Sequence, residues 1–215
     1  MSAYDNYCTL KRELEECAAD SGFDPAALKL LAVTKNQTAE VIRQLYDCGL
    51  REFAENRVNV LEDKIKVLPE DIIWHFIGKI QSNKVRKVLK MAKILHSVDS
   101  LELLERIERI AVEENVFPQL FIEVNVSGEE SKSGISVGEL PEMLNIQLKN
   151  SVICGLMTMA PFTASEEELK EIFTTLRKTA EEYGLKELSM GMSNDCRTAA
   201  SCGATTVRIG TALFV

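Results

Sequence analysis

The sequence lacks several features that special classes of protein require. No apolar run approaches the roughly 18 residues needed to cross a bilayer, and the N-terminal residues 1–6 carry neither the charge nor the apolar segment of a signal peptide. There are only two histidines, and none of the six cysteines belongs to a Cys-x-x-Cys pair, which argues against a metal site. The net charge of −8 leaves no general basic surface for nucleic acid. We therefore expect a cytoplasmic protein without a metal, membrane or nucleic-acid partner.

The pattern that is present alternates strands with helices. A helix is expected over 5–19, and eight apolar strands follow at 30–33, 51–56, 72–78, 94–98, 118–126, 152–159, 187–190 and 206–209. This order predicts the α/β class and a single (β/α)8 TIM barrel with an extra N-terminal helix, in one domain over 1–215. An open doubly wound sheet is the alternative, but its first turn usually reads Gly-x-Gly-x-x-Gly. Here the first strand ends in Thr-Lys-Asn-Gln.

Lys35 follows the first of these strands at its carboxyl end. Because α/β folds build ligand sites at that end, Lys35 is a candidate for chemistry. A lysine amine that is partly desolvated can attack a carbonyl and form a Schiff base. The plain alternative is a solvated loop lysine, and Lys79 and Lys84 are rivals for the same role.

Two further loops suit an anion, because barrels of this kind often hold phosphate after strands seven and eight. The loops read Met190-Gly-Met-Ser-Asn194 and Arg208-Ile-Gly-Thr211, and they offer backbone amides and hydroxyl groups. Glycine and serine are also ordinary turn residues, which is the alternative interpretation. Arg208 stands within an apolar strand, and a buried arginine needs an acceptor because it keeps its charge.

Other polar residues are weaker candidates. Asn56 and His75 approach the ends of strands two and three and are expected to face the same mouth of the barrel, although a histidine between two aromatic residues is more often part of the core. Cys196 and Cys202 flank the helix after strand seven, and we expect them to be packed, reduced thiols. The basic run over 79–93 is expected to be the solvated face of one helix. Ser165 and Glu168 form a capping-box pattern.

Seven short blocks, in order from residue 34 to residue 211, carry a family resemblance. They are Thr34-Lys35, Glu55-Asn-Arg57, Trp74-His-Phe-Ile-Gly78 with Gln81-Ser-Asn-Lys84, Ser131-Lys-Ser-Gly134, Gly155-Leu-Met-Thr-Met-Ala-Pro161, Met190-Gly-Met-Ser193 and Val207-Arg-Ile-Gly-Thr211. Together they resemble the pyridoxal phosphate homeostasis proteins, a cytoplasmic family related to the amino-terminal barrel of alanine racemase. Seven blocks in register are far more specific than any one of them.

The resemblance implies a (β/α)8 barrel that carries pyridoxal 5′-phosphate (PLP) as an internal aldimine on Lys35. It implies phosphate contacts from Ser193 and from the backbone of Gly210 and Thr211, with Arg208 facing the pyridine nitrogen. The remaining residues that it assigns to the pocket are Asn56, near the ring hydroxyl, Met192 and His75.

The implied function is PLP binding and intracellular PLP (vitamin B6) homeostasis. An arginine can donate a hydrogen bond to the ring nitrogen but not a proton, so the ring stays a weak electron sink and transamination is disfavoured. An amino-acid racemase is the first alternative, but it needs bases on both faces of the substrate. A cofactor-free Schiff-base aldolase is the second. We expect a monomer that has apo PLP-dependent enzymes as partners.

The chain departs from the family pattern at two places. Ala54 stands before Glu55 where the family usually has glycine, and the chain ends at Val215 where the family continues with a glycine and a short tail. We expect the second difference to affect the closure of the barrel and the last helix rather than the cofactor site.

Overall fold

The structure is a computed structural model, and it describes residues 2–129 and 132–214. Ser131 and Val215, named above, lie outside the described residues. Within them, eight strands form one closed parallel barrel in which each strand pairs with the next and the last pairs with the first. The strands are β1 Lys29–Val33, β2 Glu52–Glu55, β3 Ile73–Phe76, β4 Ile94–Val98, β5 Gln119–Glu123, β6 Val152–Met157, β7 Glu187–Ser189 and β8 Thr206–Ile209. The predicted barrel is confirmed, and the open sheet is wrong.

Helices lie on the outside of the barrel, between consecutive strands and at both ends of the described chain. They are α1 Ala3–Asp20, α2 Ala39–Asp47, α3 Val58–Ile65, α4 Val85–Leu89, α5 Leu101–Glu114, α6 Leu140–Leu144, α7 Glu166–Glu182, α8 Cys196–Ser201 and α9 Thr211–Phe214, with short 3-10 turns at Pro25–Ala27, Ser82–Lys84 and Val137–Glu139. The extra N-terminal helix is therefore confirmed as α1, which packs against α8 and α9. The barrel closes between β8 and β1, contrary to the expected effect of the C-terminal difference.

Local sequence explains where several helices begin. Ser165 accepts a hydrogen bond from the Glu168 backbone, and the Glu168 side chain accepts one from Ser165, so the predicted capping box is confirmed. Ser2 and Asp5 make the same arrangement at the start of α1. Thr38 is the N-cap residue of α2, although its side chain makes no capping hydrogen bond within the described part of the chain.

Apolar side chains form two layers. The larger fills the space between the strands and the helices and contains the fully buried Phe53, Phe76 and Phe173. The smaller consists of Leu31, Val33 and Ala54, with Ile77 packed against them. Because side chains alternate across a strand, this smaller group belongs to the barrel interior.

The cysteines and the basic run over 79–93 are placed as the sequence predicts. All six cysteines are free; Cys196 and Cys202 are buried, and burial raises the pKa of the Cys196 thiol. In the basic run, Arg86 contacts Glu113 and Glu114 on α5 at the surface, as expected for a solvated helix face.

No helix among the described residues combines the length and apolarity of a membrane span, and none of the described residues form a cluster suited to a metal ion.

Candidate functional site

A cavity of about 560 Å³ opens at the carboxyl ends of the strands. Its wall includes residues that follow β1, β2, β6, β7 and β8, which is where a parallel barrel concentrates its ligand-binding loops. Seven of the eight sequence-predicted residues line this carboxyl-terminal cavity: Lys35, Asn56, Met192, Ser193, Arg208, Gly210 and Thr211. The eighth, His75, does not.

Lys35 lies two residues beyond the end of β1 and is exposed. The partial desolvation expected of its amine therefore stays a prediction. The backbone before it is well fixed, because the Thr34 N–H and hydroxyl both donate to the Ala54 carbonyl on β2, at 2.9 and 3.1 Å. Gln37 N–H closes the turn by donating to the Thr34 carbonyl at 2.8 Å. Lys35 is thus a solvent-accessible amine on a rigid base.

A buried ion pair that sequence reasoning missed supports this base. Lys64 Nζ on α3 lies 2.6 Å from Glu55 Oε2, and the same Nζ donates to the Thr34 carbonyl at 2.6 Å. The other Glu55 oxygen accepts the Asn56 N–H at 2.8 Å. The signal for Lys64 was available, because it stands three residues after the buried Leu61 on the inward face of α3.

Asn56 presents an unused acceptor. Its Oδ1 is buried and has no hydrogen-bond partner among the described residues, although the residue lines the carboxyl-terminal cavity. A buried oxygen without a donor is costly unless a ligand supplies one. Gly78 allows the close packing here, because a side chain at that position would collide with the Asn56 carbonyl.

The loops after β7 and β8 are joined to each other. The Ser193 hydroxyl accepts the Ala212 N–H at 3.3 Å, which brings the first loop against the start of α9. Asp195 Oδ1 accepts the Met192 N–H at 2.5 Å, and burial raises the pKa of this carboxyl group. Gly191 has φ of +91°, and a side chain there would collide with Ala199.

Arg208 is buried and has the acceptors that its charge requires. Nη1 donates to the Ser189 hydroxyl at 2.6 Å, and Nη2 donates to the Thr158 carbonyl at 3.0 Å. Burial lowers the pKa of Arg208 to about 10, while Asp195 and Glu123 act to raise it. The guanidinium therefore stays charged near neutral pH and is held in one orientation at the cavity wall.

His75 corrects the sequence interpretation. It lines a second cavity, of about 330 Å³, together with residues such as Lys29 and Gln119 that begin strands. This amino-terminal cavity is at the opposite mouth of the barrel. Ile77, two residues further along, is the β3-side residue that lines the carboxyl-terminal cavity. Because alternate residues face the interior, the prediction identified the right face of the strand but the wrong level.

Two other residues near the site were given no role in it from the sequence. Lys132 is a second lysine in the wall of the carboxyl-terminal cavity. Glu123 ends β5, and its buried Oε1 has no partner among the described residues. Burial and the nearby Asp99 raise the pKa of Glu123 to about 7, against the opposing effects of Arg208 and Lys79. A glutamate that ends an apolar strand was the available signal.

These groups have a definite chemical range. An accessible amine can bond a carbonyl carbon, an unused amide oxygen can accept from a ligand hydroxyl, and a fixed guanidinium can donate to a ring nitrogen or an anion. The Ser193 and Thr211 hydroxyls lie in the same wall. The set fits a phosphorylated carbonyl compound that carries a hydroxyl group.

Comparison with known proteins gives consistent relatives. A family model described as "Alanine racemase, N-terminal domain" matches residues 20–215. The pyridoxal phosphate homeostasis protein of Aquifex aeolicus is 36% identical over 223 aligned positions, covering 100% of this chain and 98% of the relative. That of Synechocystis is 41% identical over 201 positions, covering 88% and 92%.

Solved structures agree with these relatives. PipY of Synechococcus elongatus, solved with PLP bound, has a TM-score of 0.80 and 38% identity over 94% of this chain and 100% of its own. The alanine racemase of Clostridium difficile has a TM-score of 0.69 at 16% identity, covering 94% of this chain and 55% of the racemase. The likeness to the racemase is one of fold alone.

Proposed function

The chain belongs to the pyridoxal phosphate homeostasis protein family, within the alanine racemase N-terminal domain family, and we propose that it carries PLP as a Schiff base on Lys35 and acts in intracellular PLP homeostasis. One observation carries the proposal: the lysine amine, the unused Asn56 oxygen, the Arg208 guanidinium and the Ser193 hydroxyl all line a single cavity. That combination matches the aldehyde, hydroxyl, ring nitrogen and phosphate of the cofactor.

Each residue has a separate role in this proposal. Lys35 bonds the aldehyde carbon, and Asn56 Oδ1 accepts from the ring hydroxyl. Ser193, with the backbone of Gly210 and Thr211, holds the phosphate, and Met192 lines the pocket. The junction between Ser193 and Ala212 supports the phosphate assignment, because it brings the two loops together.

Arg208 limits the chemistry that the site can supply. PLP provides an electron sink when its ring nitrogen is protonated, but Arg208 donates a hydrogen bond to that nitrogen without giving up its proton. Its contacts with Ser189 and Thr158 hold the guanidinium in one orientation, which supports this role. A weak electron sink suits a protein that stores and delivers the cofactor.

Delivery to apo-enzymes, a cytoplasmic location and a monomeric state remain predictions, as does the single domain over 1–215.

The test is an absorbance spectrum of the purified protein with PLP, before and after borohydride reduction, followed by mass mapping of the modified lysine. We expect a visible Schiff-base band, a reduced adduct on Lys35, and loss of both in Lys35→Ala. Lys79→Ala and Lys84→Ala are the matched controls, and both should keep the band. An adduct on Lys132, Lys79 or Lys84 with Lys35 unmodified would contradict the proposal.

Two further measurements separate the alternatives. Incubation with an apo-enzyme should restore that enzyme's activity, whereas the α-hydrogen of amino acids should not exchange with deuterated solvent. Lys35-dependent exchange would instead support a racemase. A protein that stays colourless with PLP but cleaves a sugar phosphate would support the cofactor-free aldolase.

A further inference from the structure

The barrel interior contains a continuous row of hydrogen bonds, here called the interior chain, made by Glu52, His75, His96, Ser189 and Arg208. Glu52 Oε2 lies 3.2 Å from His75 Nε2, and His75 Nδ1 lies 2.9 Å from His96 Nε2. His96 Nδ1 lies 2.8 Å from Ser189 Oγ, which accepts from Arg208 Nη1 at 2.6 Å. Four hydrogen bonds therefore join five polar side chains.

The interior chain connects the two mouths of the barrel. His75 lines the amino-terminal cavity, and Arg208 lines the carboxyl-terminal cavity. The middle members, His96 and Ser189, are fully buried. They belong to β4 and β7, which are not neighbours in the barrel, so their contact crosses the interior. His96 also stacks on Phe121, with ring centroids 4.4 Å apart.

The two ends determine the direction of every hydrogen bond between them. Arg208 can only donate, so Ser189 Oγ accepts from it. The Glu52 carboxylate can only accept, so His75 donates through Nε2–H. A neutral ring has one N–H, and His75 Nδ1 must therefore accept from His96 Nε2–H. His96 Nδ1 is then an acceptor, and it takes the hydroxyl hydrogen of Ser189.

One proton at the amino-terminal end would reverse this order. Protonated His75 donates through both nitrogens, so His96 Nε2 must become an acceptor and the His96 proton must lie on Nδ1. His96 then donates to Ser189 Oγ, which already accepts from Arg208. The state with one more proton therefore gives Ser189 two donors, and its own hydroxyl hydrogen loses His96 as an acceptor.

We infer that the interior chain positions Arg208 and makes its hydrogen bonding depend on the protonation of His75, at the far mouth of the barrel. Ser189, His96 and His75 are thus positioning residues, because Arg208 alone reaches the carboxyl-terminal cavity. The consequence for PLP rests on the proposed function, in which Arg208 faces the ring nitrogen. The hydrogen bonding of the interior chain itself does not depend on that proposal.

Burial, rather than charged neighbours, favours the neutral His75 ring at neutral pH. Burial lowers the pKa of His75, Lys29 on β1 lowers it further, and Glu52 on β2 opposes both. Glu187 and Cys154 line the same cavity; burial raises the pKa of the Cys154 thiol to about 12, so it carries no charge there.

His96 is even less able to take a proton. Burial lowers its pKa well below the ordinary value, and His75 and Arg208 act in the same direction. The acidic groups Asp195 and Glu123 face Arg208 rather than His96. The extra proton therefore belongs on His75, beside the Glu52 carboxylate, while His96 responds by changing its tautomer.

The first test is ¹⁵N NMR of the cofactor-free protein, and it is simplified because the chain contains only two histidines. We expect both rings to be neutral with the proton on Nε2 at pH 7.5. On acidification His75 should become charged, His96 should stay neutral with its proton on Nδ1, and the Arg208 guanidinium signals should move with the same midpoint. A His96 proton on Nδ1 at pH 7.5 would overturn the inference. So would Arg208 signals that do not change as His75 titrates.

The second test interrupts the interior chain. Ser189→Ala removes the atom that joins His96 to Arg208, so the Arg208 signals should no longer follow His75, which should still titrate. Ser151→Ala is the matched control, because Ser151 is also a buried serine but lies outside the interior chain. Arg208 that still follows His75 in Ser189→Ala would show that the coupling takes another route, and the inference would fail.

The third test uses PLP. In the wild type and in Ser151→Ala the visible Schiff-base band should shift with the His75 midpoint, and in Ser189→Ala it should not. Ser189→Ala should also weaken PLP binding about three- to tenfold, the usual worth of one hydrogen bond. Absence of any Schiff-base band would defeat the proposed function but leave the NMR result standing. A band that ignores His75 in the wild type would defeat the positioning role.

Discussion

Glu123 illustrates how one residue can oppose the stability of the fold. Burial and Asp99 raise its pKa to about 7, whereas an unfolded glutamate ionises near pH 4.3, about the model-peptide value. Between these values the folded state holds more protons than the unfolded state, so the free energy of unfolding falls as pH rises. The charged form is then the penalised form above pH 7.

We expect Glu123→Gln to remove this penalty. Relative to the wild type, the variant should gain up to about 3 kcal/mol in free energy of unfolding at pH 8 and almost nothing at pH 4.5. Urea unfolding of the cofactor-free proteins at the two pH values measures the difference. Glu171→Gln, at an exposed position, should change neither value. A Glu123→Gln gain that is equal at both pH values would contradict the explanation.

At the scale of elements, the Glu55–Lys64 pair joins three parts of the barrel. It connects α3 to the end of β2, and through the Thr34 carbonyl it reaches the turn that carries Lys35. The two side chains are 0% and 7% exposed. A buried charge that loses its partner is strongly destabilising, whereas replacement of the whole pair by neutral groups can be almost neutral.

We therefore expect Lys64→Ala to lower the free energy of unfolding by about 3–5 kcal/mol. The double variant Lys64→Met with Glu55→Gln should recover most of that loss, because no buried charge remains unpaired. Lys66→Ala is the control, since Lys66 forms an exposed pair with Asp63 and its loss should leave the free energy of unfolding almost unchanged. Urea unfolding compares the three variants with the wild type. Equal losses in the single and double variants would contradict this role for the pair.

Elements were easier to predict than the contacts between them. The apolar runs and the capping box identified the strands and α7, because those signals lie within a few consecutive residues. Lys35 and Arg208 were found because each is a cation next to or within such a run. Lys64 was missed, since its partner is on another element and becomes visible only when α3 packs on β2.

The position of a residue along the barrel axis also could not be predicted from the sequence. Alternation predicts which face of β3 carries His75, but not whether that residue lies toward one mouth or the other, because the level depends on the stagger between all eight strands. The interior chain could not be predicted for the same reason. Its members come from five different strands, and no spacing along the sequence relates His96 to Ser189.

At the scale of the whole molecule, α1 supports the end of the barrel that contains the last two loops of the site. Leu14 on α1 is fully buried, and α1 packs against α8 and α9. Asn6 on α1 donates to the Leu213 carbonyl on α9 at 3.1 Å. If 1–215 is one cooperative unit, a destabilising substitution in α1 should also lower the stability of β3, on the opposite part of the barrel.

We expect Leu14→Ala to lower the free energy of unfolding by about 3–5 kcal/mol, the cost of a large-to-small change in a closed core. Trp74 on β3 is the only tryptophan, so its fluorescence reports on β3 while far-ultraviolet circular dichroism reports on all helices. Both probes should shift to the same lower urea midpoint, because a single cooperative domain unfolds in one transition. Val67→Ala, at an exposed position, should leave the midpoint almost unchanged. Separate midpoints in Leu14→Ala, with Trp74 unaffected, would mean that α1 and α8 unfold independently of the rest of the barrel and that the single-domain prediction is wrong.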